Sequence, residues 1–100
     1  MRFLVTMVPR QTPPPDMIMP MIEQAQAWHE RYADRFESFG LFPGGGGFGV
    51  IDVGDEAELH RVIGENPFAL FSELTIRAAV QPEIGWEQAK AIFAARMAHA

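Results

Sequence analysis

The sequence predicts an α+β domain, one four-stranded antiparallel sheet with helices packed on one of its faces. Three observations carry that prediction. Short β-branched, apolar runs alternate with longer helical patterns in the order β, α, β, β, α, β, followed by one more helix. Gly44-Gly45-Gly46-Gly47 falls between the second and third strand patterns, where a hairpin turn needs positive φ. Pro9, Asp55, Asn66-Pro67 and Gln81-Pro82 punctuate the remaining joints.

Arg2 to Val8 reads as the first strand, with Phe3, Val5 and Met7 on one face and Leu4, Thr6 and Val8 on the other. Both faces look buried. Gln11 to Pro15 is a proline-rich loop that cannot continue the ladder. A long helix is expected from Asp16 or Met17, with Pro20 in its first turn, where a missing N–H costs little. Ile18, Met21, Ile22, Ala25, Trp28, Tyr32 and Phe36 form its apolar stripe, and Gly40 points to a stop near Ser38. Phe39, Leu41 and Phe42 then leave room only for a very short edge strand.

Beyond the glycines, Phe48 to Val53 reads as a strand and Asp55 to Glu65 as a helix. Asp55 and Glu58 have capping-box spacing, Leu59, Val62 and Ile63 supply the apolar face, and Asn66-Pro67 ends the element. Ser72 to Val80 is the last strand, with Leu74, Ile76 and Ala78 opposite Glu73, Thr75 and Arg77. An alanine-rich helix, Gly85 to His99, carries Trp86, Ala89, Ile92, Phe93 and Met97. Residues 1–82 thus form the split βαβ, or ferredoxin-like, domain, and residues 83–100 a helical extension of it. The helix-free sheet face would carry Leu4, Thr6, Val8, Phe48, Val50, Asp52, Thr75 and Arg77. That face is too apolar to leave in water, so a second copy is the expected cover, in a homodimer with sheets face to face.

Composition narrows the function classes. Among 100 residues, 48% are hydrophobic and 21% charged, the profile of a globular domain. No apolar run is long enough to span a bilayer and the N-terminus is too short for a secretory signal, so a soluble cytoplasmic protein is expected. The absence of cysteine removes disulfides and thiolate chemistry, and His29, His60 and His99 lie too far apart for a local metal motif. A net charge of −5 without a basic cluster argues against nucleic acid and anionic membranes, leaving a small molecule or a protein as partner. The glycine run leads into a strand rather than a helix, so it fails the structural requirement of a nucleotide loop.

Phe3-Leu4-Val5-Thr6-Met7, Val50-Ile51-Asp52-Val53, Glu58-Leu59-His60-Arg61 and Asn66-Pro67-Phe68 together resemble the muconolactone delta-isomerase family, over roughly Met1 to Pro82. The resemblance implies a dimeric α/β barrel, dimers or larger rings, and a proton shift that moves a double bond within an unsaturated lactone without metal or organic cofactor. The span between the first helix and the Val50-Ile51-Asp52-Val53 strand is shorter here and glycine-rich, which implies an altered pocket wall. Barrels of this type also include cofactor-free monooxygenases, cyclases and dehydratases, and proteins without activity.

A 1,3-proton shift needs a base, a proton donor and a partner for the dienolate oxygen. Asp52 and Glu73 are candidate bases, Arg77 the oxyanion partner and Thr6 an orienting hydroxyl; alternatively Asp52 and Arg77 simply pair. His60 is brought in by the resemblance, against the reading of a helix histidine with local hydrogen bonds. Trp28, His29 and Tyr32 are expected to reach a cavity between helix and sheet, or to be core alone, and Phe48 to line the open face. The leading reading is a cofactor-independent isomerase or cyclase-like enzyme on a small unsaturated lactone or polyketide-like carbonyl compound. Its rivals are a non-catalytic dimeric binding or assembly protein and a cofactor-free monooxygenase.

Overall fold

The computed structural model describes residues 1–99. Its strands are β1 (Arg2–Pro9), β2 (Phe36–Leu41), β3 (Gly47–Asp52) and β4 (Ser72–Ala79), and its helices α1 (Pro15–Arg31), α2 (Glu56–Gly64) and α3 (Pro82–Ala98). The strands form one antiparallel sheet in the order β2-β3-β1-β4, the ferredoxin-like arrangement. Central β1 pairs Leu4 with Val50 of β3 and Arg77 of β4, and Thr6 with Phe48 and Thr75. Because side chains alternate, the same register sends Phe3, Val5, Ile51 and Leu74 to the opposite, helix-covered face. There Phe3, Val5, Ile51, Val53, Leu59 and Ile63 form the core, with Phe36 and Leu74 packed against it.

α2 starts as its sequence requires. Asp55 Oδ1 accepts from the Glu58 amide at 2.8 Å, while Glu58 Oε2 reaches back to the Gly54 amide at 2.9 Å, so two donors at the helix start are satisfied reciprocally. The glycine turn is equally legible. Gly44, Gly45 and Gly46 have φ of 88°, 117° and 82°, and a Cβ on Gly46 would lie 2.2 Å from the Met7 carbonyl oxygen.

The segment before that turn departs from expectation. α1 ends at Arg31 rather than near Ser38, a single 3-10 turn covers Ala33–Arg35, and β2 takes six residues from Phe36. Phe36 therefore belongs to the sheet and not to the helical stripe. Its spacing from Tyr32 suits a helix, but the Tyr32 amide already closes α1 on the Trp28 and Glu30 carbonyls. β2 also contains a bulge between Phe36 and Ser38. The extra residue, Glu37, ion-pairs with Arg2 and breaks the period-two pattern by which a strand is recognised. Two helix starts move as well. α1 begins at Pro15, which places Pro20 in the helix interior, and α3 begins at Pro82 rather than Gly85.

No helix is long and apolar enough to cross a membrane among the described residues.

Candidate functional site

A cavity of about 600 Å³ opens between α1 and the helix-covered face of the sheet. Its volume lies within the usual range for small-molecule sites, roughly 300–1,000 Å³. The space exists because of β3. Gly47 and Gly49 fall on the inner face of that strand, where two larger side chains would fill the volume. The Phe36 ring takes the room over Gly49, so close that a Cβ there would lie 2.7 Å from it. The bulge completes the arrangement by turning both Phe36 and Phe39 inward, although they are three residues apart.

The wall is mainly aromatic. Trp28 packs edge-on against Phe36 with centroids 5.4 Å apart, and Phe36 against Phe39 at 5.3 Å. Trp28 is anchored from behind, since its indole N–H donates to the Val62 carbonyl at 2.7 Å, one of the carbonyls that the end of α2 leaves without an intrahelical partner. His29 lies within this cluster, stacked on Phe39 at 4.0 Å with 23° between planes and tilted against Phe36 at 5.3 Å. Among the described residues it is the one titratable side chain in the lining; the other polar side chains are Gln26, Asn66 and Ser72. Asn66 Oδ1 accepts from the Phe68 amide at 2.9 Å, which leaves its NH₂ as the group to offer a ligand. Ser72 donates to the Phe68 carbonyl at 2.8 Å and retains acceptor capacity. Ile22, Phe39, Leu41 and Phe42 are all more than a third exposed and form an apolar mouth.

The structure divides the candidates named from sequence. Trp28 and His29 line the cavity; Phe48 pairs with Thr6 and so belongs to the open face, its ring laid over Gly40, and it meets the cavity only at the glycine end. Tyr32 stands outside the lining, its hydroxyl hydrogen-bonded to Glu65 and its pKa raised chiefly by that carboxylate. Thr6, Glu73 and Arg77 stand on the open sheet face, across the sheet from the cavity. Asp52 ends the β3 side of that face, beside Asp34, Arg35 and Glu58 in a shallow polar cleft, 3.5 Å from the N-terminal amine. β1 separates it from Arg77, so within one chain the two do not pair. His60 is exposed on α2. The four residues read as catalytic thus do not converge on the cavity, nor on one another. In the cleft, the Gly54 amide and then Arg35, whose Nε is 2.6 Å from Glu58 Oε1, hold the Glu58 carboxyl below its ordinary range.

Phe36, Phe39, Phe42, Gln26, Asn66 and Phe68 are lining residues that sequence reading did not assign to a site. A signal was present: glycines at alternate positions of a strand, 47 and 49, leave a gap on one face of the sheet.

No family model matches the chain, and no curated protein matches it. Among solved structures it is similar to the 5-chloro-2-hydroxyhydroquinone dehydrochlorinase TftG from Burkholderia phenoliruptrix AC1100, in complex with 2,5-dihydroxybenzoquinone, with a TM-score of 0.63 and 18% identity over 83% of this chain and 97% of that one. At that identity the likeness shows the fold, which is the one the sequence predicts.

Proposed function

We propose that this protein is an enzyme that binds a flat, unsaturated cyclic carbonyl compound in the aromatic cavity and moves a proton on it with His29. The observation that carries the reading is the isolation of one imidazole among aromatic rings in a cavity of ligand size. Rings of that kind sandwich a planar ligand, while apolar walls exclude water from a charged intermediate. That TftG holds 2,5-dihydroxybenzoquinone, a planar ring with oxygens at its edge, supports the choice of ligand shape.

The step is a 1,3-shift. The imidazole takes a proton from the carbon α or γ to the carbonyl, the C–H pair enters the conjugated system as a dienolate, and the imidazolium returns the proton to the other end. The double bond moves and nothing is oxidised or reduced. The Asn66 NH₂ is the donor available to the dienolate oxygen. An imidazole suits both halves of the shift, because a ring nitrogen that accepts the proton can hand it back.

Proton NMR of muconolactone incubated with the protein in deuterated water tests the reading. Double-bond migration with deuterium uptake is the expected result. A cavity that binds unsaturated lactones or quinones with neither exchange nor migration overturns the catalytic reading and leaves the non-catalytic binding protein.

A further inference from the structure

The cavity is larger than a single ring requires. Space of about 150 Å³ is enough for benzene, and here there are about 600 Å³. The lining shows where the excess lies. Ile18, Ile22, Ala25 and His29 all face the cavity from α1, at steps of four, three and four residues that keep them on one side of the helix. The stretch of helix from Ile18 to His29 is about 17 Å long, so a ring stacked beside His29 fills one end only. The remainder is apolar. Ile22, Leu41 and Phe42 are 41%, 75% and 37% exposed, a group of large side chains left in water at the cavity mouth. Ala25, the smallest side chain of the stripe, stands between Ile22 and His29 and keeps the two parts continuous.

Charge narrows the ligand further. Among the described lining residues there is no lysine, arginine, aspartate or glutamate, and Gln26, Asn66 and Ser72 are polar but uncharged. A carboxylate carried into such a place loses its hydration without gaining a cation. The one group able to pair with it is His29 as an imidazolium, and that form has no free nitrogen with which to remove a proton.

We propose, resting on the inner cavity as the site of the proton shift, that its substrate is a neutral unsaturated cyclic carbonyl compound bearing an apolar tail. The ring lies beside His29 and the tail runs along Ile22 and Ile18 toward Leu41 and Phe42. Muconolactone then enters only with its carboxylate left in water at the mouth, which makes it a weak ligand. Ala25 determines whether a tail can pass.

Titration calorimetry with three compounds that share one ring tests the assignment: γ-methyl butenolide, γ-pentyl butenolide and muconolactone, whose γ substituent is a carboxymethyl group. Each methylene taken out of water is worth a factor of about four in affinity. The pentyl compound is therefore expected to bind at least ~30-fold more tightly than either of the others. In Ala25→Leu the ratio of pentyl to methyl affinity should fall below about fivefold. In Ile22→Arg, which puts a cation at an exposed position of the mouth, muconolactone should gain at least ~5-fold. Both variants are read on protein with the dispersed amide spectrum of a folded domain. A pentyl compound bound no more tightly than muconolactone, or a ratio that Ala25→Leu leaves unchanged, overturns the proposal. Deuterium uptake into the same compounds reports separately on the proton shift. A tail preference without uptake ends the catalytic reading and keeps the ligand class for a binding protein, while uptake without a tail preference does the reverse.

Discussion

Trp28 shows how one side chain serves both stability and the site. Its ring is 5% exposed and forms cavity wall, while its N–H satisfies the Val62 carbonyl at the end of α2. Trp28→Phe keeps an aromatic wall but leaves that buried acceptor unpaired. The expected cost is about 1–3 kcal/mol, read as a lower urea midpoint. The glycines separate conformation from space in the same way. Gly44 has φ of 88° with nothing within 4 Å of an added Cβ, whereas Gly46, at 82°, would drive a Cβ into the Met7 carbonyl. Gly44→Ala should therefore cost only the left-handed backbone, about 1–2 kcal/mol, and Gly46→Ala distinctly more, measured by denaturant unfolding of the two variants side by side.

At the scale of elements, the segments that obey one period were legible and the segment that breaks it was not. β1, β3, β4 and α2 are found within a residue or two of where alternation, β-branching and capping place them. The sequence predicts β2 only as a very short edge strand of Phe39, Leu41 and Phe42; its first half is hidden by its own bulge and by a phenylalanine whose spacing also fits a helix. The start of α2 carries a pH dependence. The Glu58 carboxyl is lowered first by the Gly54 amide and then by Arg35, so its folded pKa lies below the unfolded one. Its contribution is present above the ordinary value of 4.5 and is lost as pH falls through the folded value. Glu58→Gln should therefore flatten the decline in thermal midpoint between about pH 5 and about pH 3, with the difference from wild type largest at the upper end. Equal slopes for the two proteins would remove Glu58 from acid unfolding.

For the whole molecule, the fold followed from element order, and the inner cavity did not. Charged residues drew attention to the open face, where Asp52, Glu73 and Arg77 stand, because catalysis is usually sought among charges. The cavity lies on the other face, and what creates it is missing volume: Gly47 and Gly49, with Phe36 and Phe39 turned inward by the bulge. Missing volume has no residue type of its own, so it becomes visible only when register and helix position are known. His29 was within reach, since its helical position beside Trp28 placed it on the inner side.

The claim that the inner cavity and not the open face carries the chemistry is tested most directly by deuterium uptake into muconolactone, compared between His29→Gln and Asp52→Asn. The account predicts that His29→Gln slows uptake by at least ~100-fold while Asp52→Asn leaves it within about twofold of wild type, both variants remaining folded. Full uptake by His29→Gln together with its loss in Asp52→Asn would contradict the account and move the reaction to the open face of the sheet.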